Sequence, residues 1–389
     1  MKRVRVLHVI TRLDRGGSAE NTLLTVAGAN LERFAVALAS GPTQGERSPT
    51  EARAREVGDY IDIPDLLRAI RPLSDLRALW QLYRVMRKGR YDIVHTHTSK
   101  AGLLGRLAAY FARVPMVVHT PHGHVFYGYY GPFISGVFVR LERWAASMCD
   151  RIIALTCKGA EDHIELGVAA REKFTVIHSG IEFPEGEYVG EGREILRAEW
   201  GLGADALVIG TLGRLTAIKG QKDLIEAFSL LFDKAPNTYL LLVGDGEERE
   251  ALVKFADKLG VHARVIFAGW RGDIYAVLAA MDLFALPSLN EGMGKALVEA
   301  MYVGLPCVAT RVGGVPELVG DGKEGFTVPA AAPQELADAL FKLTSDENLR
   351  AQCGAAGRRR ASAYSADAMI RKIEILYEEI MKEKGILTQ

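Results

Sequence analysis

The sequence predicts an α/β protein built from two doubly wound parallel sheets, and three observations predict it. Short, fully apolar runs alternate with stretches of helical spacing, which is the grammar of βαβ units around a buried parallel sheet. The alternation breaks once, in the Gly- and Glu-rich stretch around 183–205, and then restarts. Each half also opens with a strand followed by a glycine turn, LDRGGSAE at 13–20 and GRLTAIKG at 213–220. In the first half the strand-length runs are VRVLHVI, FAVALAS, YDIVHTH, PMVVHT, DRIIALT and FTVIHS. Helical spacing lies between them in NTLLTVAGA, in LRALWQLYRVM and in the amphipathic segment before Asp150. The second half runs through ALVIGTLGRL, TYLLLVGDG, RVIFAGW, DLFALP, LPCVAT and GFTV, and the tail SADAMIRKIEILYEEIMKEK reads as one long charged helix. The expected division is a first domain over 1–183, a second over 184–365, and a terminal helix over 366–389.

Bulk properties narrow the function. A chain of 389 residues exceeds one ordinary core. With 49% hydrophobic and 25% charged residues it reads as globular rather than disordered. Basic and acidic residues balance at 48 each, so no net field steers nucleic acid towards it. Cys149, Cys157, Cys307 and Cys353 form no C-x-x-C pair and no metal-ligand spacing, which suits a reducing cytosol. MKRVRVLHVI starts basic but runs into a strand and then Arg12 and Asp14, so no signal peptide is expected. No segment reaches the roughly 18 uncharged apolar residues of a spanning helix.

Several motifs fail on context. Gly320, Gly322 and Gly325 spell G-x-G-x-x-G, but they precede a strand instead of joining strand to helix. There is no G-x-x-x-x-G-K-[ST] phosphate loop. There is no D-x-D to bridge a metal to a diphosphate, so metal independence is expected. His95 and His97 have metal-like spacing without a Cys or carboxylate to complete a set, and fit the end of a strand as cleft-lining or structural residues. His119, His122 and His124 crowd the end of the next strand, where a sugar-contacting role and a structural one are both open.

Arg214 and Lys219 lie where a strand gives way to a helix; beside exposed backbone N–H groups, such cations form a site for a diphosphate. The most informative stretch is PSLNEGMGKALVEAMYVGLPCVAT, 287–310. It reads as strand end, loop, helix and next strand. Glu291 falls in the loop ahead of the helix and Glu299 little more than a turn into it, with the N–H groups of Gly292, Met293, Gly294 and Lys295 between. An ionised carboxylate only accepts hydrogen bonds, so vicinal hydroxyls are natural partners. Two such acceptors flanking an anion site fit a nucleotide sugar. Taken singly, Glu299 reads as an exposed helix charge and Glu291 as a capping carboxylate.

Together these residues resemble a retaining glycosyltransferase of family four with the GT-B fold, two Rossmann-like domains facing across a deep cleft. The resemblance spans essentially the whole chain. PSLNEGMGKALVEAMYVGLPCVATRVGGVPELV is similar to the family's two-glutamate signature, and GRLTAIKG, LLVGDGEE and RGGSAEN agree in order and spacing. YDIVHTHTSKAGLLGRLAA and VVHTPHGHVFYG look like the branch that builds capsular and other surface polysaccharides. The resemblance implies that Glu299 binds the ribose hydroxyls and Glu291 the donor sugar, helped by the backbone of Gly292 to Lys295. It implies that Arg214 and Lys219 hold the diphosphate, that Gly17 lets the N-terminal loop approach it, and that His122 contacts the donor sugar near the reacting carbon. It also implies that the terminal helix returns to brace the N-terminal domain. The sequence departs from the commonest form at Met293, where Phe is usual, and at Lys295–Ala296, where apolar residues are usual; such a loop would change which sugar is accepted.

The expected reaction is transfer of a hexose from a nucleotide diphosphate, UDP by preference, to a hydroxyl of a lipid-linked saccharide, with retention and without a metal or other cofactor. The expected location is the cytoplasm, either free or peripheral on the inner face of the plasma membrane. The aromatic-rich segment 125–143, with Arg140 and Arg143, reads either as a surface lying on a membrane or as a buried helix and loop. Rival readings on the same architecture are a nucleotide-sugar epimerase and a non-catalytic nucleotide-sugar-binding protein.

Overall fold

The structure, a computed structural model, describes residues 3–14, 16–43, 49–122, 132–184 and 191–386. The chain divides into two compact units, Met1–Gly180 with Ala366–Gln389, and Ile181–Ser365. The first holds seven strands: β1 (Val4–Ile10), β2 (Phe34–Ser40), β3 (Asp59–Asp62), β4 (Ile93–His97), β5 (Met116–Thr120), β6 (Arg151–Ala154) and β7 (Phe174–Val176). They lie in the order β3-β2-β1-β4-β5-β6-β7, all parallel. The second unit holds six: β8 (Leu207–Leu212), β9 (Thr238–Val243), β10 (Val265–Gly269), β11 (Leu283–Leu286), β12 (Cys307–Thr310) and β13 (Gly325–Val328). Their order is β10-β9-β8-β11-β12-β13, again all parallel.

In each sheet the strand order reverses beside its first strand, between β1 and β4 and between β8 and β11. Loops leaving the carboxyl ends at such a reversal diverge to opposite faces and leave a crevice, the usual ligand position in open α/β sheets. The apolar runs of the sequence occupy the sheet centres: β4, β5, β11 and β12 are buried throughout. The strand that hydrophobic patterning misses is β3, DYID, which is short, polar and half-exposed at the sheet edge. Its register is set by pairing with β2, from Ala37 opposite Asp59 to Ser40 opposite Asp62, not by a core face of its own.

The last helix, Ala366–Glu383, belongs to the first unit. Met369, Ile370, Ile373, Leu376, Tyr377, Ile380 and Met381 recur at helical spacing and are buried against Val6, Phe34, Ile93, Met116 and Val118. Burying each such side chain stabilises the fold by about 1.5–3 kcal/mol. The other face of that sheet packs against Ser99–Ala112, where Ala101, Ala108 and Ala109 allow close approach.

Helix Pro132–Ala146, which carries residues 132–143 of the aromatic-rich segment 125–143, is not a buried helix. Phe133, Ile134, Val137, Leu141 and Trp144 are exposed along it, Phe133 at 85%. The preceding part of that segment, 125–131, and His124 lie outside the described residues. Among the described residues no helix is long and apolar enough to cross a membrane.

Candidate functional site

In the second unit the loops leaving β8 and β11 are stitched together. Leu289 N donates to Ile218 O at 2.8 Å, so the loop carrying Lys219 and the one carrying Glu291 share a backbone bond. Lys219 Nζ lies 2.5 Å from Glu291 Oε1, and the buried Ser288 hydroxyl donates to the same oxygen at 2.8 Å. Glu291 is thus held in one orientation by two donors. Its backbone is pinned as well: Gly314 N donates to Gly292 O at 2.8 Å. A side chain at Gly313, which has φ +50°, would drive its Cβ to within 1.7 Å of Glu291 O. Only glycine fits there.

Helix Lys295–Val303 starts just beyond. Its N-cap, Gly294, has φ 81° and contributes no side-chain cap. A helix start without a capping side chain, two residues from an exposed Gly292, presents N–H donors and the positive end of the helix dipole to an anion. Met293 is buried in the core with Leu297 and Val315, so the loop presents its backbone there rather than its side chain. Glu299 is half-buried on the first turns of this helix. Its charge, after burial, is the next cause that raises the Tyr275 phenol above its ordinary range, which puts a tyrosine beside this carboxylate that sequence reading did not single out. Arg214 sits in the loop after β8, largely exposed and paired with Glu247 at 3.1 Å. That loop is locked by Gln221 Nε2 donating to Arg214 O and Leu215 N donating to Asp245 O, both at 3.0 Å. The structure therefore joins Lys219 and Glu291 directly, puts Glu299 on the adjoining helix, and leaves the Arg214 side chain on a neighbouring loop.

In the first unit a cavity of about 550 Å³ opens at the carboxyl ends of β1, β4 and β5. One wall is apolar, from Ile70, Leu103, Leu104, Phe138 and Leu141. The polar wall carries Arg12 paired with Asp14 at 2.6 Å and Lys100 paired with Asp75 at 2.5 Å. Two lining atoms, Asp14 Oδ1 and His119 Nε2, are buried without a hydrogen-bond partner among the described residues. A buried polar atom without a partner costs free energy unless a ligand or water supplies one. Beneath the cavity, the fully buried Arg106 forks onto both oxygens of Glu142 at 2.8 and 3.0 Å. Gly17 is the exposed first residue of helix Gly17–Ala27, at the same edge.

The histidines divide by face. His8 pairs in register with His95, and His97 follows two residues on, so these three rings share one face of the sheet and lie against the Ala366–Glu383 helix. His119 lies on the other face, its Nδ1 2.9 Å from Thr96 Oγ1. Gly102 leaves room for it, since a Cβ there would come within 2.4 Å of the ring. His122 follows β5 with φ 58°, a left-handed conformation unusual for a non-glycine residue. Burial holds the His8 and His122 imidazoles down at about 3, and drives His95, His97 and His119 well below the usual imidazole range. All five are neutral at pH 7. His8 escaped the sequence reading, although an imidazole inside the otherwise apolar VRVLHVI was a legible signal. Asp14, Ser288 and Glu142 escaped because isolated polar residues near strand ends look like ordinary surface.

Comparison with known proteins places this geometry in a family. Residues 17–183 match the family described as Glycosyltransferase Family 4, and residues 192–360 that described as Glycosyl transferases group 1. The chain is 32% identical over 336 residues to the UDP-Gal:alpha-D-GlcNAc-diphosphoundecaprenol alpha-1,3-galactosyltransferase of Escherichia coli, covering 84% of this chain and 87% of that protein. It is 28% identical over 323 residues to the Staphylococcus aureus capsular polysaccharide biosynthesis glycosyltransferase CapM, covering 81% and 84%. Among solved structures, Anabaena Alr3699/HepE in complex with UDP-glucose superposes with a TM-score of 0.76 at 25% identity, over 97% of this chain and 100% of that one. A glycosyltransferase from Rickettsia africae superposes with a TM-score of 0.82 at 20% identity, over 98% and 100%. With two parallel α/β sheets and these matches across both halves, the chain belongs to the retaining, GT-B glycosyltransferases of family 4, enzymes that transfer a sugar from a nucleotide sugar.

Proposed function

We propose that this enzyme moves a hexose from UDP to a hydroxyl of a saccharide carried on a prenyl diphosphate, with retention at the anomeric carbon, in surface polysaccharide assembly. The observation that carries the proposal is the Lys219–Glu291 pair at 2.5 Å beside the start of helix Lys295–Val303, whose cap has no side chain. It offers a cation, a fixed hydroxyl acceptor and backbone donors within one loop system, which are the groups a sugar diphosphate requires.

In this reading the Ile181–Ser365 unit takes the donor and the Met1–Gly180 unit the acceptor. Glu299 binds the ribose hydroxyls, and Glu291 the hydroxyls of the transferred sugar with the backbone of Gly292, Met293, Gly294 and Lys295. Lys219 and Arg214 neutralise the diphosphate as it leaves. The transition state is oxocarbenium-like, so charge accumulates on the departing phosphate, and fixed cations and N–H groups lower the barrier without a protein nucleophile. The departing phosphate takes the acceptor's proton on the same face. No metal enters the scheme. Gly17 keeps the N-terminal loop low enough to approach the phosphates, and His122 contacts the transferred sugar.

The cavity of the first unit suits the acceptor sugar: its apolar wall fits a C–H face, and Asp14 Oδ1 and His119 Nε2 await hydroxyls. The name of the Escherichia coli relative points to a diphosphoundecaprenol acceptor. The exposed apolar face of Pro132–Ala146, with Arg140 and Arg143 on the same helix, suits a membrane surface where such carriers reside. In this reading the enzyme works at the cytoplasmic face of the membrane.

The direct test incubates the enzyme in EDTA with a prenyl-diphosphate GlcNAc and, separately, UDP-galactose, UDP-glucose and GDP-mannose. A mass gain of one hexose from a UDP donor is expected. Turnover of the donor without an acceptor would favour an epimerase, and transfer only from GDP-mannose would replace the donor class.

A further inference from the structure

Histidines of β1, of β4 and of the loop after β5 form a continuous chain. His8 Nδ1 lies 3.0 Å from His97 Nε2, and His97 Nδ1 lies 2.8 Å from His122 Nε2. A neutral imidazole carries one N–H and one bare nitrogen. Each contact therefore needs one ring to donate and the other to accept, which leaves two self-consistent states. In one, His8 donates to His97, His97 donates to His122, and the His122 proton sits on Nδ1. In the other, every donor and acceptor is reversed and His122 Nδ1 is bare. The protonated nitrogen of His122 is thus tied to the tautomer of a ring two places away.

The far end of the chain is open. His122 Nδ1 is buried and has no hydrogen-bond partner among the described residues. The left-handed backbone at His122 is a strain that packing must hold in place. His95 stands beside the chain and not in it. Its Nδ1 is engaged by the Tyr377 hydroxyl at 2.6 Å and its Nε2 by the Thr120 hydroxyl at 2.8 Å. The grouping of His8, His95 and His97, whose nitrogens fall within 4.8 Å of one another, is therefore committed to hydrogen bonds rather than open as a ligand set.

We propose that His8 and His97 are positioning residues that hold His122 in a single tautomer, so that its Nδ1 presents one fixed hydrogen-bonding polarity to the sugar. The proposal rests on the reading of His122 as the sugar-contacting residue. Its chemistry is specific: a bare or protonated Nδ1 selects whether a sugar hydroxyl donates or accepts there, and a mixture of tautomers would waste part of the enzyme population.

The test is nitrogen NMR of protein labelled at the histidine rings, combined with steady-state kinetics of His8 variants. Wild type should show one tautomer each at His97 and His122. His8→Phe should turn both into mixtures and lower kcat about tenfold, with KM for the UDP-sugar little changed, as for loss of a remote partner that orients a functional imidazole. His8→Asn places a carboxamide where Nδ1 was and should restore both the single tautomer and kcat, whereas His8→Gln, which mimics Nε2, should not. A single, unchanged His122 tautomer in folded His8→Phe would overturn the proposal. Equal rescue by Asn and Gln would overturn it too, and that pair decides the matter should the Phe variant fail to fold. His122→Ala separates the two readings: unchanged turnover would remove His122 from the sugar site, while the tautomer measurement would still judge the chain of rings.

Discussion

The two sheets are wound alike and carry different chemistry. Each reverses its strand order beside its first strand, and each gathers polar groups at that reversal. At β8 and β11 those groups are charged and paired: Lys219 with Glu291, Glu299 on the next helix, Arg214 with Glu247. At β1, β4 and β5 they are five neutral imidazoles, four of them buried, and an apolar cavity wall, beside charges that are already paired with one another, Arg12 with Asp14, Lys100 with Asp75 and Arg106 with Glu142. The topology fixes where a ligand sits, and the residues at the strand ends fix which ligand it is. A diphosphate needs compensating charge. A saccharide needs directed hydrogen bonds and apolar faces.

The largest effect that would break this contrast comes from the fully buried Arg106 of the first unit. Glu142→Leu leaves the Arg106 guanidinium without its carboxylate, and should cost about 3–5 kcal/mol in urea unfolding. Replacing both, Arg106→Met with Glu142→Leu, should recover most of it. If the single variant unfolds like wild type, the bridge does not brace the cavity. Next comes the charged site. With Lys219 neutralising the leaving diphosphate as proposed, Lys219→Met should lower kcat about 10²–10³-fold with melting temperature nearly unchanged. A fall below threefold would take Lys219 out of the chemistry.

Acid should then separate the units. The folded His8 and His122 values, about 3, lie below the unfolded imidazole value of 6.5. The native rings stay neutral while the unfolded ones take up protons. Their contribution is complete above pH 6.5 and is lost as pH falls from there towards 3, at up to about 1.4 kcal/mol per histidine per pH unit. The second unit contains only the exposed His262. Hydrogen exchange at pH 7 and 5 should therefore show the first unit loosening more than the second, and equal loosening would contradict the buried, neutral cluster. The smallest effect is at the surface: Phe133→Asp should weaken binding to anionic vesicles about tenfold.

The contrast also explains what the sequence disclosed. The charged site was readable because its residues are close along the chain and their spacing encodes geometry: Glu291 and Glu299 bracket one helix start, and Lys219 follows one strand. The apolar strands were readable because a central parallel strand is buried on both faces. The chain of histidines was not, since His8, His97 and His122 are brought together by the pairing of β1 with β4 and of β4 with β5, which no local pattern reveals. The edge strand β3 was hidden for the same reason, its pairing being non-local and its residues polar.

The central claim is that the Lys219–Glu291–Glu299 loop system is the donor site, and calorimetric titration of UDP in EDTA into wild type and Glu299→Ala tests it most directly. At a hundred times the dissociation constant, UDP should also stabilise the wild type by about 2.7 kcal/mol. The account predicts UDP binding in the absence of metal, weaker in the variant by about 1–3 kcal/mol for a lost charged hydrogen-bond acceptor. Equal affinity of the two proteins for UDP, or no binding to folded wild type, would contradict it.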